Sequence, residues 1–244
     1  MSQVTCGLPK IARNRRQLAS TINHSLFKPE VVRDRIIQLS EEAISFGFAA
    51  VCVNPCWIGL AASVVHGTGV KVASVIGFPL GASHTSVKRF EAQEAIRVGA
   101  QEIEMVINVG ALKSGERRLV QSEIESLAAL THNNEASIKV ILEMPLLTLE
   151  EQILACQLCV AADVDFVKTA TGFQGAATEN DVALMRGVVG DDAGVEVAGE
   201  ICTVAAANAM LDSGADRIGT IHSVAIITEL AALESNQALS IQPA

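Results

Sequence analysis

The chain has 244 residues, half of them hydrophobic and only 3% aromatic, with a formal net charge of −9. That acidic balance excludes a general nucleic-acid binder, which needs a basic patch; the group Arg13, Arg15 and Arg16 is too small to supply one. No apolar run reaches the length of a membrane span, and MSQVTCGLPKIARNRRQ lacks the apolar centre of a secretory signal.

The expected setting is the cytoplasm. Cys6, Cys52, Cys56, Cys156, Cys159 and Cys202 are read as reduced, mostly buried thiols. Cys156-x-x-Cys159 has no second pair and no histidines at ligand spacing, so a core helix is a better reading than a metal site.

Strand-like and helix-like stretches alternate along the chain. Thr21–Ser25 reads as a strand and 30–46 as a helix closed by Gly47. Ala49–Val53 is followed by 57–66 and Gly67, and Val70–Gly77 by 84–98 and Gly99. Ile103–Val109 precedes a helix over 115–131. Ile138–Glu143 precedes 148–162, with Thr148 placed to cap it, and Val164–Thr169 precedes 178–189, with Thr178 at its start. Val195–Ala198 with 203–213 and Gly214, then Arg217–Ile221 with 223–234, complete eight repeats.

Near-continuous apolar strands alternating with helices require a parallel sheet covered on both faces. Eight βα repeats in this length predict an α/β protein with a closed (β/α)8 TIM barrel. One domain is expected over 1–244, with 1–20 as an N-terminal extension or helix and 235–244 as a loose tail. A doubly wound open sheet is the alternative. It is weakened because no G-x-G-x-x-G follows the first strand.

Chemistry in such a barrel sits where strands end at the C-terminal face. The polar residues in or ending the strands are Asn23, His24 and Ser25, Asn54, Glu104 and Asn108, Glu143, Lys168, and Glu196. Side chains alternate faces along a strand. Glu104, Val106 and Asn108 therefore share one face, as do Phe166 and Lys168, and Glu196 and Ala198. If these faces line the interior, one lysine and two carboxylates meet there. Lys168 reads either as a nucleophile that forms an iminium with a carbonyl compound or as half of a structural ion pair with Glu104 or Glu196. Cys52 either lines the site or is a plain core thiol, and His66, His84 and His132 fall on helices or loops.

FVKTATGF (166–173) resembles the Schiff-base lysine motif of the deoxyribose-phosphate aldolases, class I aldolases with a TIM-barrel fold. The resemblance extends through NHSLFKP (23–29), AVCVNPCW (50–57), VIGFPLGA (75–82), FEAQEAIRVGAQEIEMVINVGALKSG (90–115), KVILE (139–143) and RIGT (217–220). It covers roughly residues 20 to 230 in order.

The resemblance implies reversible cleavage of deoxyribose 5-phosphate to glyceraldehyde 3-phosphate and acetaldehyde. Lys168 matches the lysine that forms the iminium. Glu104 stands where the family has an aspartate that takes part in proton transfer. Glu196 stands where a second lysine is expected, which reverses the charge. At the implied phosphate site Gly199-Glu200 replaces a pair of glycines, Cys202 an arginine, and Ile221-His222 a pair of serines; Asn23 replaces an aspartate. Candidate substrate contacts are His24, Asn108, Glu143, Thr171, Gly172, Gly199, Glu200 and His222.

A carboxylate in place of a cation raises the pKa of Lys168, yet it can also take the proton from the amine. Three readings follow. One is a divergent aldolase acting through Lys168 on another small carbonyl compound, non-phosphorylated or amine-bearing; one is an ordinary member of the family; one is a catalytically silent paralogue that binds or regulates. Retention of KTATG and of an acid at 104 favours the first. The resemblance implies no metal and no cofactor, since the iminium is the electrophile, and a homodimer. No nucleic-acid or membrane partner is expected.

Overall fold

The computed structural model describes residues 13–240 and, within them, a closed barrel of eight parallel strands. In chain order the elements are α1 (Arg15–Ala19), β1 (Ile22–Leu26), α2 (Arg33–Phe46), β2 (Ala50–Val53), α3 (Ile58–Val65), β3 (Lys71–Ile76), α4 (Thr85–Arg97), β4 (Glu102–Val106), α5 (Val109–Lys113) and α6 (Arg117–His132). They continue with β5 (Ser137–Ile141), α7 (Leu149–Ala161), β6 (Phe166–Lys168), α8 (Glu179–Val189), β7 (Gly194–Ala198), α9 (Val204–Asp212), β8 (Arg217–Thr220) and α10 (Ser223–Ser240). The open-sheet alternative fails because β8 pairs with β1, with Ile22 opposite Ile218 and His24 opposite Thr220.

Local chemistry sets the boundaries. Thr148 and Thr178 accept from the backbone of Glu151 and Asp181, whose side chains reach back, so α7 and α8 both start on capping boxes. Gly47, Gly67, Gly99 and Gly214 follow helix ends with positive φ, where a side chain would be strained. The strand expected over Ile103–Val109 stops at Val106, because Asn108 caps the unforeseen helix α5 by accepting from the Ala111 N–H. The first long helix begins at Arg33 rather than 30, since Val32 is still extended. The expected loose tail is corrected over 235–240, which continue α10. Positions 1–12, Cys6 included, and 241–244 lie outside the described residues.

Strand parity divides the barrel into two layers. Val51, Val53, Val72, Ile103, Met105, Val140, Val167, Val195, Val197 and Ile218 point outward and join the helices in one large aliphatic core. Cys156 and Cys159 are buried in that core on α7, as the core-helix reading expects. Inside the barrel the apolar content is small: Cys52, Ala73 and Val75, with Phe27 and Phe78 against them. Val106, Ile141 and Phe166 share the inward-facing strand positions with the polar and charged residues.

A buried charge pair braces one wall. Lys88 on α4 is fully buried; its Nζ donates to the Val106 carbonyl and to Glu123 Oε2, each at 2.8 Å. Thr85 donates to the other oxygen of Glu123, at 3.1 Å. This holds the β3–α4 turn, whose Phe78 packs against Phe27 and Phe173 at the barrel mouth. Glu123→Ala leaves an uncompensated buried ammonium and should destabilise by about 3–5 kcal/mol. Replacing both partners with methionine should cost clearly less. Urea unfolding of the two variants checks this, and equal losses would contradict it.

Candidate active site

Lys168 closes the three-residue strand β6. The next residue, Thr169, is tied to β7: its N–H bonds to the Glu196 carbonyl, and its hydroxyl accepts from the Ala198 N–H at 3.0 Å. The lysine side chain therefore leaves the strand inside the barrel, 3% exposed and just below the mouth.

Its Nζ donates to Glu104 Oε2 at 2.6 Å and lies 2.9 Å from Glu196 Oε1. The other oxygen of Glu196 accepts from Lys139 Nζ at 2.7 Å and from Asn23 Nδ2 at 2.6 Å. Lys139 also meets Glu102 at 2.7 Å and Glu104 at 3.6 Å. Arg217 donates to Asn23 Oδ1 at 3.0 Å and reaches to within 4.0 Å of Glu102. The ring of Phe166 lies beside Lys139 and Arg217 near the barrel floor. Gly219 leaves the room this requires: a Cβ there would stand 3.0 Å from Glu196 Oε1 and 3.3 Å from Lys168 Nζ.

Three carboxylates (Glu102, Glu104, Glu196) and three cations (Lys139, Lys168, Arg217) thus alternate through the barrel, with a formal sum of zero. Burial pulls the Lys168 pKa down, but Glu104 and Glu196 outweigh it, and the ammonium holds its proton above the ordinary lysine range. Lys139 behaves the same way, burial being overcome by Glu196, Glu102 and Glu104. Burial opposes ionisation of Glu196; Lys139 and Lys168 reverse that and hold it at about 2. Cys52 lies within the field of this group, and burial followed by Glu104 pushes its thiol far up.

Above Lys168 opens a cavity of about 410 Å³. The structure brings Lys168, Thr171, Gly172, Gly199, Glu200 and His222 together around it, with Phe173, Ile221 and the 25–29 loop completing the rim. A larger groove of about 810 Å³ lies elsewhere, between Asn14–Ser20, Ser45–Gly47 and Ile227–Glu234, and none of the expected site residues lines it.

Three of the expected substrate contacts, His24, Asn108 and Glu143, do not line this cavity. His24 faces outward, with Nε2 3.0 Å from Glu42 and the ring edge-on to Phe48, because Asn23 takes the inward position. Asn108 lies beyond β4 and is occupied as the cap of α5. Glu143 has left the strand in a left-handed conformation, φ 60°. Its carboxylate accepts from the N–H and hydroxyl of Thr171, at 2.7 and 2.6 Å, so it shapes the loop above Lys168 without touching the amine.

Sequence reasoning missed Lys139, Glu102 and Arg217. The available signal was Lys139 itself, a second lysine inside the apolar run Ile138–Lys139–Val140.

A closed barrel that presents one enclosed amine at the mouth of its axis has the layout of a barrel enzyme for carbonyl chemistry. Comparison with known proteins narrows the class. The profile of the DeoC/LacD family aldolases matches residues 18–226. A deoxyribose-phosphate aldolase of a Geobacillus species is 49% identical over 211 residues, covering 86% of this chain and 94% of that protein. The deoxyribose-phosphate aldolase of Thermococcus gammatolerans is 50% identical over 213 residues, 86% and 95% of the two chains. Among solved structures, the aldolase QR15 superposes with a TM-score of 0.84 at 36% identity, over 92% of this chain and 99% of that one. The chain belongs to the DeoC/LacD aldolase family, and it is an aldehyde-lyase.

The low pKa of Glu196 carries a stability consequence. A carboxylate held below its unfolded value adds stability above the ordinary glutamate value of 4.5, and that contribution is lost as pH falls through about 2. Native stability should therefore decline over this acid window, and Glu196→Gln should flatten the decline. Urea midpoints at about pH 5 and about pH 3 measure it; parallel declines would show that Glu196 is not the group responsible.

Proposed function

We propose that this aldolase forms an iminium through Lys168 and that Glu104 and Glu196 carry its protons. The observation that supports this most strongly is the pair of buried carboxylates on one enclosed amine, 2.6 and 2.9 Å from Nζ. One oxygen of each, Glu104 Oε1 and Glu196 Oε1, accepts no aligned hydrogen bond among the described residues. Glu196 Oε1 faces the Lys168 ammonium at 2.9 Å and is placed to take its proton.

The charge balance suits the chemistry. The Lys168 ammonium gives one proton to a neighbouring carboxylate, and the free amine attacks the carbonyl carbon, forming the C–N bond. The proton returns to the carbinolamine oxygen, which leaves as water. The product iminium carries the same single positive charge at the same nitrogen as the ammonium. A site built to stabilise the ammonium therefore stabilises the iminium as well. For cleavage, a carboxylate takes the proton of the β-hydroxyl group, the C–C bond electrons move to the iminium and an aldehyde leaves. The resulting acid protonates the enamine carbon, and water releases the second aldehyde and restores the ammonium.

The substrate class is a small carbonyl compound related to deoxyribose 5-phosphate, the substrate implied by the relatives' name, with weaker dependence on the phosphate. Glu200 and the Ile221–His222 pair stand on the cavity rim. A carboxylate there repels a dianion, and Ile221 offers no side-chain donor.

Borohydride trapping read by intact mass tests the reading. With acetaldehyde the native protein should gain one reduced adduct that maps to Lys168, and Lys168→Ala should gain none; an adduct persisting in that variant refutes the assignment. Trapping should quicken as pH rises, because the raised pKa leaves little free amine at neutrality. Glu196→Gln should shift that profile toward lower pH while slowing C–C cleavage about 100-fold. Glu200→Gly should raise kcat/KM for deoxyribose 5-phosphate relative to deoxyribose. An unchanged ratio would remove Glu200 from phosphate discrimination.

A further inference from the structure

The base of the charged column is occupied by a residue that cannot reach a substrate. Lys139 is fully buried on β5, and none of its atoms lines the mouth cavity. Burying an ammonium costs several kcal/mol unless it is well paired, and Lys139 is paired with all three carboxylates of the column. Its contact with Glu196 is directional. Lys139 and Asn23 together occupy Oε2 of that carboxylate, at 2.7 and 2.6 Å, and so turn Oε1 toward Lys168.

We infer that Lys139 is a positioning residue: it orients the Glu196 carboxylate from below and sets the charge that this carboxylate presents to Lys168. The inference rests on the proposed role of Lys168. It assigns to the reaction a residue that touches neither the substrate nor the reacting nitrogen.

The surroundings fix the sign. The group formed by Lys139 and Glu196 is faced by Asn23 from β1, Cys52 from β2, Glu102 and Glu104 from β4, Lys168 from β6 and Arg217 from β8. Lys139 is the only cation among them in contact with the Oε2 side of Glu196. Removing it leaves Glu196 with more affinity for a proton. It also removes a like charge from the neighbourhood of Lys168, so the amine becomes harder to deprotonate. Both changes displace the reactive window toward higher pH. Loss of Glu196 has the opposite sign, so the two contributions are separable.

The experiment is the pH profile of borohydride trapping with acetaldehyde, on the full chain, for native protein, Lys139→Met, Lys139→Met/Glu102→Gln and Lys139→Arg. The double variant keeps the column formally neutral and is the measurement to rely on if the single variant fails to fold. The expected result is a profile displaced upward by about one pH unit or more in the methionine variants. That corresponds to at least about a tenfold loss of trapping rate at neutral pH. Lys139→Arg should return the profile toward its native position, whatever its effect on the maximal rate. A folded double variant whose profile coincides with the native one overturns the inference and leaves Lys139 a structural charge. Native protein that forms no adduct at any pH overturns the proposed role of Lys168, and this inference with it. A native adduct with an unmoved variant profile overturns this inference alone.

Discussion

The structure depends on one electrostatic constraint: charges withdrawn from water inside the barrel must neutralise one another at contact distance. Five buried ionic side chains share the interior, each against charges of opposite sign, and the partly exposed Arg217 lies 4.0 Å from Glu102 at the floor. An isolated ion in such a place costs several kcal/mol, and even a well-made pair contributes little net stability. Apolar side chains would fill the space at lower cost, as they do throughout the outer layer. The column therefore points to chemistry rather than to packing. The Lys88–Glu123 pair obeys the same rule outside the barrel, where it anchors the end of β4 to α4 and α6.

The same constraint decides how an amine can work in this site. Opposite charges on both sides of Lys168 make the ammonium its resting state. An enzyme that needed only a free amine would be poorly served. One that passes from ammonium to iminium keeps the same charge at both ends of the step, and the surrounding field need not reorganise. In the proposed reaction the cost falls on the brief neutral amine in between, with the adjacent carboxylates as proton acceptors instead of counter-ions. The residues above the amine answer a different need. Glu143 places both oxygens on Thr171, the aromatic group Phe27, Phe78 and Phe173 walls the mouth, and Lys28, Glu200 and His222 stand on the rim.

Much of this was legible in the chain. Alternation of β-branched runs with capped helices led to the barrel, and the period-2 parity of strands placed Lys168, Glu104 and Glu196 on one interior face. The residues that escaped did so for identifiable reasons. Parity along β1 is ambiguous because Asn23 and His24 are both polar, and only the pairing with β2 and β8 turns Asn23 inward. Glu143 shares parity with Lys139 on paper, but the left-handed backbone at Glu143 breaks the alternation and sends its carboxylate to Thr171. Asn108 belongs to a cap rather than to a strand, because the ladder ends two residues earlier.

The sequence by itself determined the repeat, the layers and the place of Lys168 at the end of an apolar strand, because these rest on local periodicity and on neighbours close in the chain. Only the tertiary structure decided what that lysine touches. Glu104, Lys139 and Glu196 come from three different strands, and the distance from Lys168 to each carboxylate depends on closure of the barrel and on the register across it. Electrostatic energy varies inversely with distance and with local dielectric. Both quantities exist only once the barrel has closed and expelled water from its axis.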